Sequence, residues 1–306
     1  MISVIIPLYN KEKSIANTLR AVLNQTFQEF EIVVVNDGSA DNSVAEVSKV
    51  QDSRIRIVNQ ENTGVSSARN RGIEEAKYDL IAFLDADDEW KPEYLETQYN
   101  LYKKFSDCSV FVCDYEFHDT FGRVMPTIIK KIPFDTEDGI LTNYFEVASF
   151  SHPPLWTSAV MVKKQAIQNI GGFPLGITNG EDLLTWAELA VKFKIAYSKK
   201  VKSVYVLKAG FGTNSKPVNI PQGNDVGIGL EKLLNDYKED IISLRHYIGR
   251  WYKIRAHLFL RGGEKRNALV NIFRTIKFHP KEWKIYLYLC MIPLPTSFIN
   301  YIFKHI

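Results

Sequence analysis

Two hydrophobic periods alternate through the first hundred residues. Short apolar runs rich in β-branched residues occupy Ser3–Ile6, Ile32–Val35, Ile55–Val58 and Leu80–Leu84, the pattern of strands buried on both faces. Between them apolar positions recur at helical spacing. Ile15, Leu19, Val22 and Leu23 fall on one face, and Gly64–Ala76, opening after Thr63, carries Ala68, Ile73 and Ala76 among polar residues. Strand–helix alternation of this kind predicts βαβ units and an α/β fold on a mostly parallel sheet flanked by helices. Ligands of such sheets bind at the carboxyl ends of the strands, so polar clusters there are read first.

Further on, residues 92–105 read as a helix with Pro92 in its first turn. Cys108–Tyr115 reads as a strand, Gly122–Ile132 and Ser158–Val162 as extended segments, and Asp182–Val191 as a helix. Pro217–Gly229, rich in Pro, Gly, Asn and Asp, reads as a linker. Beyond it Leu230–Leu234, Ile241–Ile248 and Leu258–Phe273 keep a helical spacing, so the tail is expected to be helical. The expected division is residues 1–220 as one domain and 221–306 as a basic helical region. The longest apolar stretch, Ile285–Phe303, contains Thr296, Ser297, Asn300 and two prolines. A spanning helix needs about 20 predominantly apolar residues, so an interfacial segment is expected rather than a span.

Composition narrows the class. The 306 residues are 45% hydrophobic and 24% charged, with 17 Gly and 12 Pro, which excludes collagen-like, coiled-coil and wholly disordered chains. Cys108, Cys113 and Cys290 form no metal-binding spacing and cannot all pair, so buried reduced thiols are expected. The opening MISVIIPLYN lacks the basic region and cleavage site of a secretory signal. A cytoplasmic location is therefore expected, peripheral on the inner membrane face if the tail engages lipid. The net charge of +3 hides an asymmetry: residues 245–306 carry twelve Lys and Arg against Glu264 and Glu282, a net +10, which leaves −7 for residues 1–244. A basic tail on an acidic body suits an anionic partner, either membrane surface or nucleic acid.

Three clusters carry candidate chemistry. Asp37 ends the second strand in VVVNDGSADNS. It is either the Asp of a tight turn in which Gly supplies a positive φ, or a hydrogen-bond acceptor for a base or ribose at the ligand edge. Asp85, Asp87 and Asp88 follow the strand Leu80–Leu84 directly. Three carboxylates in four residues repel one another; crowded hard oxygens suit Mg²⁺ or Mn²⁺ bridging to phosphates, although a solvated acidic turn is the other reading. In ENTGVSSARNRG, successive helical residues point about 100° apart, so at most one or two of Arg69, Asn70 and Arg71 face the cleft. Arg69 is either a planar donor to base or phosphate or part of a surface salt bridge.

The order VIIPLYN, VVVNDGS, ENTGVSSARNRG and FLDADD, followed by GGF (Gly171–Phe173) and GEDLLTW (Gly180–Trp186), resembles the family 2 glycosyltransferases of the GT-A fold, a Rossmann-like architecture. The resemblance runs to about residue 200. It implies that Pro7, with Tyr9 nearby, and Asp37 contact the nucleotide, and that Arg69 helps hold the base. The resemblance likewise implies that the DxD carboxylates Asp85 and Asp87 hold the ribose and a divalent metal, Mn²⁺ or Mg²⁺, on the diphosphate, and that the ED pair supplies the general base, Asp182, with Glu181 beside it. The implied reaction moves one sugar, a hexose, from a nucleotide-sugar donor, with UDP the family's commonest, to a glycan or lipid-linked acceptor hydroxyl with inversion. A helix start at Glu181–Asp182 has a second, compatible reading as acidic first-turn residues favourable to the helix dipole, which lowers a carboxylate's pKa.

Departures from the family pattern sharpen the expectation. No QxxRW segment or set of spans marks a processive synthase, so single-sugar transfer is expected. After the strand Ser203–Leu207 the chain reads LKAGFGTNS, without the His that some relatives carry near the metal; Lys208 there either meets phosphate or is a solvated loop lysine. Tyr115, Phe117, Trp156 and Trp186 are either core or a stacking platform for acceptor sugars, and His152 reads as a loop or packing residue. In Arg245–Arg274, basic residues interleave with Tyr247, Trp251, Tyr252, Phe259 and Phe273, which suits single-stranded nucleic acid, an anionic membrane or packing on the acidic body. Ile285–Phe303 favours the membrane, for nucleic acid has no use for it. The rival function is a non-catalytic nucleotide- or nucleic-acid-binding protein. A sugar nucleotidyltransferase would carry a Gly-rich loop after the first strand, and LYNKEKS has no glycine.

Overall fold

The computed structural model describes residues 1–207 and 223–305. The chain divides into two compact units: Met1–Tyr144 with Ser151–Ala209, and Phe145–Phe150 with Gly210–Ile306. The first half of the first unit runs β1 (Ile2–Leu8), α1 (Ile15–Leu23), β2 (Phe30–Asp37), α2 (Ser43–Ser48), β3 (Ile55–Gln60), α3 (Val65–Glu75), β4 (Leu80–Phe83), β5 (Glu89–Trp90) and α4 (Tyr94–Lys104). It continues with β6 (Val110–His118), β7 (Val124–Pro126) and β8 (Asp138–Ile140). After α5 (Tyr144–Phe150) come β9 (Val160–Lys163), α6 (Lys164–Asn169), α7 (Glu181–Lys192) and β10 (Ile195–Val206).

The strands form one sheet in the order β3-β2-β1-β4-β9-β6-β10-β5, with β7 on β6 and β8 on β10. β1, β2, β3 and β4 pair in parallel, which is why Val4, Ile5, Ile6, Ile32, Val33, Val34 and Val35 are all fully buried. Both faces of these strands are covered, and alternation disappears from the sequence. β9 enters antiparallel between β4 and β6. It is the one central strand that breaks the parallel run, and β6 and β10 then pair in parallel again.

Helix α3 lies so close to the sheet that a Cβ on Gly72 would sit 2.3 Å from Ile5 Cγ2. Gly72→Ala is therefore expected to destabilise the first unit by about 1–3 kcal/mol through overpacking. Urea unfolding reads the loss, and an unchanged midpoint would show that α3 can lift off β1 at no cost.

Several expectations change at this level. Pro92 lies ahead of α4, not in its first turn, and its carbonyl accepts the Thr26 N–H at 2.8 Å. Of Gly122–Ile132 only Val124–Pro126 is strand, an exposed hairpin partner of β6 with no core to extend it. The segment read as extended from Ser158 begins instead as a 3-10 turn, Thr157–Ala159. There the Ser158 hydroxyl and carbonyl serve Asp88, the Asp85 N–H, the Trp90 indole and the Ser203 hydroxyl rather than a ladder.

The second unit contains α8 (Asp225–Asp236), α9 (Ile241–Arg261), α10 (Lys265–Phe278), α11 (Lys284–Met291) and α12 (Thr296–His305). The stretch read as a linker is helical from Asp225, because Val226, Leu230 and Leu233 form a buried face. Gly227 within it is a packing residue: a Cβ there would meet the Tyr252 hydroxyl at 2.5 Å. Lys208 and residues 217–222 lie outside the described residues. Leu258–Phe273 is broken after Arg261, where Gly263 takes φ +80°. Tyr247, Tyr252 and Phe259 are buried, so these tail aromatics are core rather than a stacking surface, whereas Phe273 is exposed. Cys108 and Cys113 are buried, but Cys290 is exposed on α11, contrary to the expectation of three buried thiols. Among the described residues no helix is long and apolar enough to cross a membrane.

Candidate nucleotide-sugar site

A cavity of about 640 Å³ opens at the carboxyl ends of β1, β2 and β4. It is walled by the residues that follow each strand: Pro7, Tyr9 and Lys11 after β1, Asp37 ending β2, Asp85 and Asp87 after β4. Asn62, Gly64 and Arg69 come from the β3–α3 turn and α3, with Thr178 and Glu181 at the start of α7. Of the residues that the family resemblance assigns to nucleotide, metal or base, Asp182 alone is not on this wall.

Asp37 is buried and organises the turn beside it. Its Oδ1 accepts from Gln60 Nε2 at 2.8 Å and the Thr63 N–H at 3.0 Å, and its Oδ2 from the Gly64 N–H at 2.9 Å. The following Gly38 takes φ +70°, with Asn62 so close that a Cβ would be 3.0 Å from its nitrogen. The turn reading of the DGS segment therefore holds, and the same side chain also lines the cavity.

Arg69 is 3% exposed, so it makes no surface salt bridge. One terminal nitrogen donates to Asp85 Oδ1 at 2.8 Å and the other to Glu181 Oε1 at 3.2 Å, and the guanidinium lies over the Phe173 ring at 5.0 Å. Its neighbours on α3 point elsewhere, as a helical rotation requires. Asn70 accepts from the Phe173 N–H and donates to the Phe173 carbonyl, at 2.7 and 2.8 Å. Arg71 faces solvent and pairs with Glu75 one turn on. The GGF and SARN segments, 103 residues apart, thus meet through Asn70 and Phe173. Gly172, at φ +79°, leaves room for Asn70 Oδ1 where a Cβ would be 2.4 Å away.

The three carboxylates after β4 take three separate partners. Asp85 faces Arg69, Asp87 forms an ion pair with Lys11, and Asp88 turns inward. Asp88 accepts from the Ser158 hydroxyl at 2.6 Å, the Trp156 indole N–H at 3.1 Å and the Val206 N–H at 3.2 Å. Burial, with Asp85 and Asp87 adding like charge, pushes its pKa up to about 8 while the Ser158 and Trp156 bonds pull the other way. Protein groups thereby relieve much of the repulsion that the bare sequence shows. No cluster of three or more His, Cys, Asp or Glu side chains suited to a metal ion exists among the described residues. The Asp85 and Asp87 oxygens on the cavity wall fit Mg²⁺ or Mn²⁺ as a partial ligand set, of the kind completed by phosphate oxygens and water.

Asp182 lies in the first turn of α7, where its Oδ1 accepts the Leu183 N–H at 2.7 Å. The helix dipole predicts a lowered pKa. Instead burial first, then the charge of Glu181, push it up to about 6, against the pull of Arg69. Desolvation outweighs the dipole here because the carboxyl is half-buried beside other carboxylates rather than free in solvent.

The aromatic residues divide. Trp186 is fully buried beside Phe83 and Phe173 and is core. Tyr115 is also buried and stacks on Trp156, which in turn lies 4.4 Å from the Tyr205 ring. His152 accepts the Ile128 N–H and packs edge-on to Phe117, a loop role. Sequence reading missed Lys11, Asn62 and Thr178 on the cavity wall. Lys11 had a usable signal, since it follows the first strand as Asp85 follows the fourth; Thr178 had none.

Comparison with known proteins fits this geometry. Residues 3–164 match the family model described as glycosyl transferase family 2, and the chain belongs to that family. Its fold is of the GT-A type. A putative glycosyltransferase EpsH of Bacillus subtilis (strain 168) is 39% identical over 134 residues, 42% of this chain and 38% of EpsH. The glycosyltransferase GlyG of Streptococcus pneumoniae is 38% identical over 122 residues, 39% of this chain and 40% of GlyG. The matches thus span about two fifths of these relatives' length. The crystal structure of S. aureus TarS 1–349 in complex with UDP-GlcNAc superposes with a TM-score of 0.71 at 19% identity, covering 98% of this chain and 87% of that one. At that identity the likeness is one of fold.

Proposed function

We propose that this protein is a non-processive, inverting glycosyltransferase that moves one sugar from a nucleotide-sugar donor to a hydroxyl of a glycan or lipid-linked acceptor. The observation that carries the proposal is the cavity at the strand ends that gathers Pro7, Tyr9, Asp37, Arg69, Asp85, Asp87 and Glu181. Its volume of about 640 Å³ lies in the range of small-molecule sites. TarS, which shares the fold, has been solved with UDP and with UDP-GlcNAc, so UDP is the first nucleotide to test.

In this reading Pro7, Tyr9 and the Asp37 turn hold the base and ribose. Asp85, positioned by Arg69, lies toward the ribose, and Asp87 toward the diphosphate. A Mg²⁺ or Mn²⁺ held by Asp87 and Asp85 would supply Lewis-acid stabilisation to the leaving diphosphate. Lys11, already paired with Asp87, offers a second cation for phosphate charge. Asp182 takes the acceptor proton as general base; a pKa near 6 leaves it ionised at neutral pH and still basic enough to act. Attack by the hydroxyl on the anomeric carbon as the diphosphate departs is one displacement, which inverts the configuration.

Calorimetric titration with UDP, GDP and UDP-GlcNAc, with and without Mn²⁺, tests the reading. One nucleotide is expected to bind in a metal-strengthened manner, at least tenfold more weakly in Asp87→Ala. Absence of binding by any of them to folded protein would defeat the proposal.

A further inference from the structure

The second unit contains its own cavity, of about 540 Å³, lined by residues of α5, α9 and the α10–α11 connection. Helix α9 presents His246, Arg250, Lys253 and Ile254 to it, positions at i, i+4, i+7 and i+8 that share one helical face. The α10–α11 connection adds His279 and Lys281, and Lys284 follows at the start of α11. The approach is tight by sequence: Gly249 leaves room for His279, since a Cβ there would lie 2.7 Å from the His279 Cβ. The imidazoles of His246 and His279 consequently stack at 4.0 Å between centroids.

The charge on this wall is one-sided. Four Lys or Arg side chains face it against a single carboxylate, Glu282, which is engaged by Lys253 at 2.7 Å; Arg250 donates to the Ser149 carbonyl, and the two imidazoles add ring nitrogens rather than charge. Burial, with His246 and Lys253 nearby, pulls His279 below the ordinary imidazole pKa, Glu282 opposing. Crowded like charges are costly unless a counter-charge joins them. Phe150, Ile254 and the largely exposed Trp283 supply apolar surface beside the cations. That combination matches a phosphoryl group carried on an organic body rather than a bare inorganic ion.

We infer that this cavity is a second, independent anion site that takes a phosphate ester, either a phospholipid headgroup or a phosphorylated soluble compound. The shared chemistry is a phosphoryl group against Lys281, Lys284, Arg250 and the histidine pair, with its organic body against Trp283 and Phe150. The site needs no nucleotide in the first unit, and so stands or falls separately from the transferase reading.

Histidine ring resonances of the full chain test it, because no histidine is among the described residues that line the cavity of the first unit. Titration with inorganic phosphate and with glycerol phosphate is expected to shift the His246 and His279 signals. A Lys281→Ala/Lys284→Ala double variant, which alters two exposed side chains, should weaken the response at least tenfold. Co-sedimentation with phosphatidylcholine vesicles, with and without phosphatidylglycerol, then separates the sources. Binding only to the anionic vesicles, weakened tenfold in the double variant, identifies a lipid headgroup; ring shifts without sedimentation identify a soluble phosphate ester. Rings that do not move with either phosphate probe overturn the inference. So does an unweakened response in the double variant, or vesicle binding that this variant retains in full.

Discussion

Asp182→Asn is expected to lower sugar transfer about 10²–10⁴-fold, the usual contribution of a positioned general base, while donor affinity changes less than threefold. The substitution is isosteric, and Oδ1 can still accept the Leu183 N–H, so the start of α7 keeps its geometry. What disappears is the ability to take a proton. The pH profile gives an independent check. Protonated Asp182 is inactive, so the rate constant should climb tenfold per pH unit below about 6 and level off above it, the position set by the raised pKa. Glu181 is the charge that helps raise it, so Glu181→Gln should move the inflection to lower pH. An Asp182→Asn enzyme at near-normal rate, or an inflection untouched by Glu181→Gln, would remove Asp182 from the role.

Arg69→Met is expected to cost the first unit about 3–5 kcal/mol, the scale for removing one partner from a buried charge cluster. The Arg69 guanidinium is the only cation bonded to both Asp85 and Glu181 among the described contacts. Without it Asp85 and Glu181, with Asp182 beside them, lose the cation that bonds to both. Arg69→Lys should recover only part of the loss, because an ammonium cannot span two carboxylates as a planar fork does. Hydrogen exchange of the α3 and β4 amides reads the effect locally. A loss below about 1 kcal/mol would mean that the carboxylates rehydrate through the cavity instead of depending on Arg69.

Much of the first unit was legible because its signals are local. Four continuous β-branched runs can be little else than buried strands, and the helical faces between them impose parallel pairing. The rule that ligands sit at strand ends then selects Asp37, Asp85 and Asp87 without any knowledge of distance. Local signals fail where a residue serves a distant partner. Ser158 looks like strand from its neighbours, yet its hydroxyl holds Asp88 from 70 residues away. Gly227 and Asp225 look like linker by composition, yet the glycine is there to admit the Tyr252 hydroxyl.

The sequence by itself determined the βαβ order, the helical tail, and which polar residues stand at strand ends, since each follows from periodicity or from adjacency along the chain. Only the tertiary structure decided how three aspartates within four residues differ: one on Arg69, one on Lys11, one buried near Trp156 with its pKa at about 8. It also decided that Arg69 is a buried bridge and not a surface pair, that burial overrides the helix dipole at Asp182, and that α9 and the α10–α11 connection converge on a cationic cavity. The physical reason is the same in each case. Charge state and partner choice depend on solvent exclusion and on separations of a few ångströms between residues far apart in the chain, and neither is written in any local pattern.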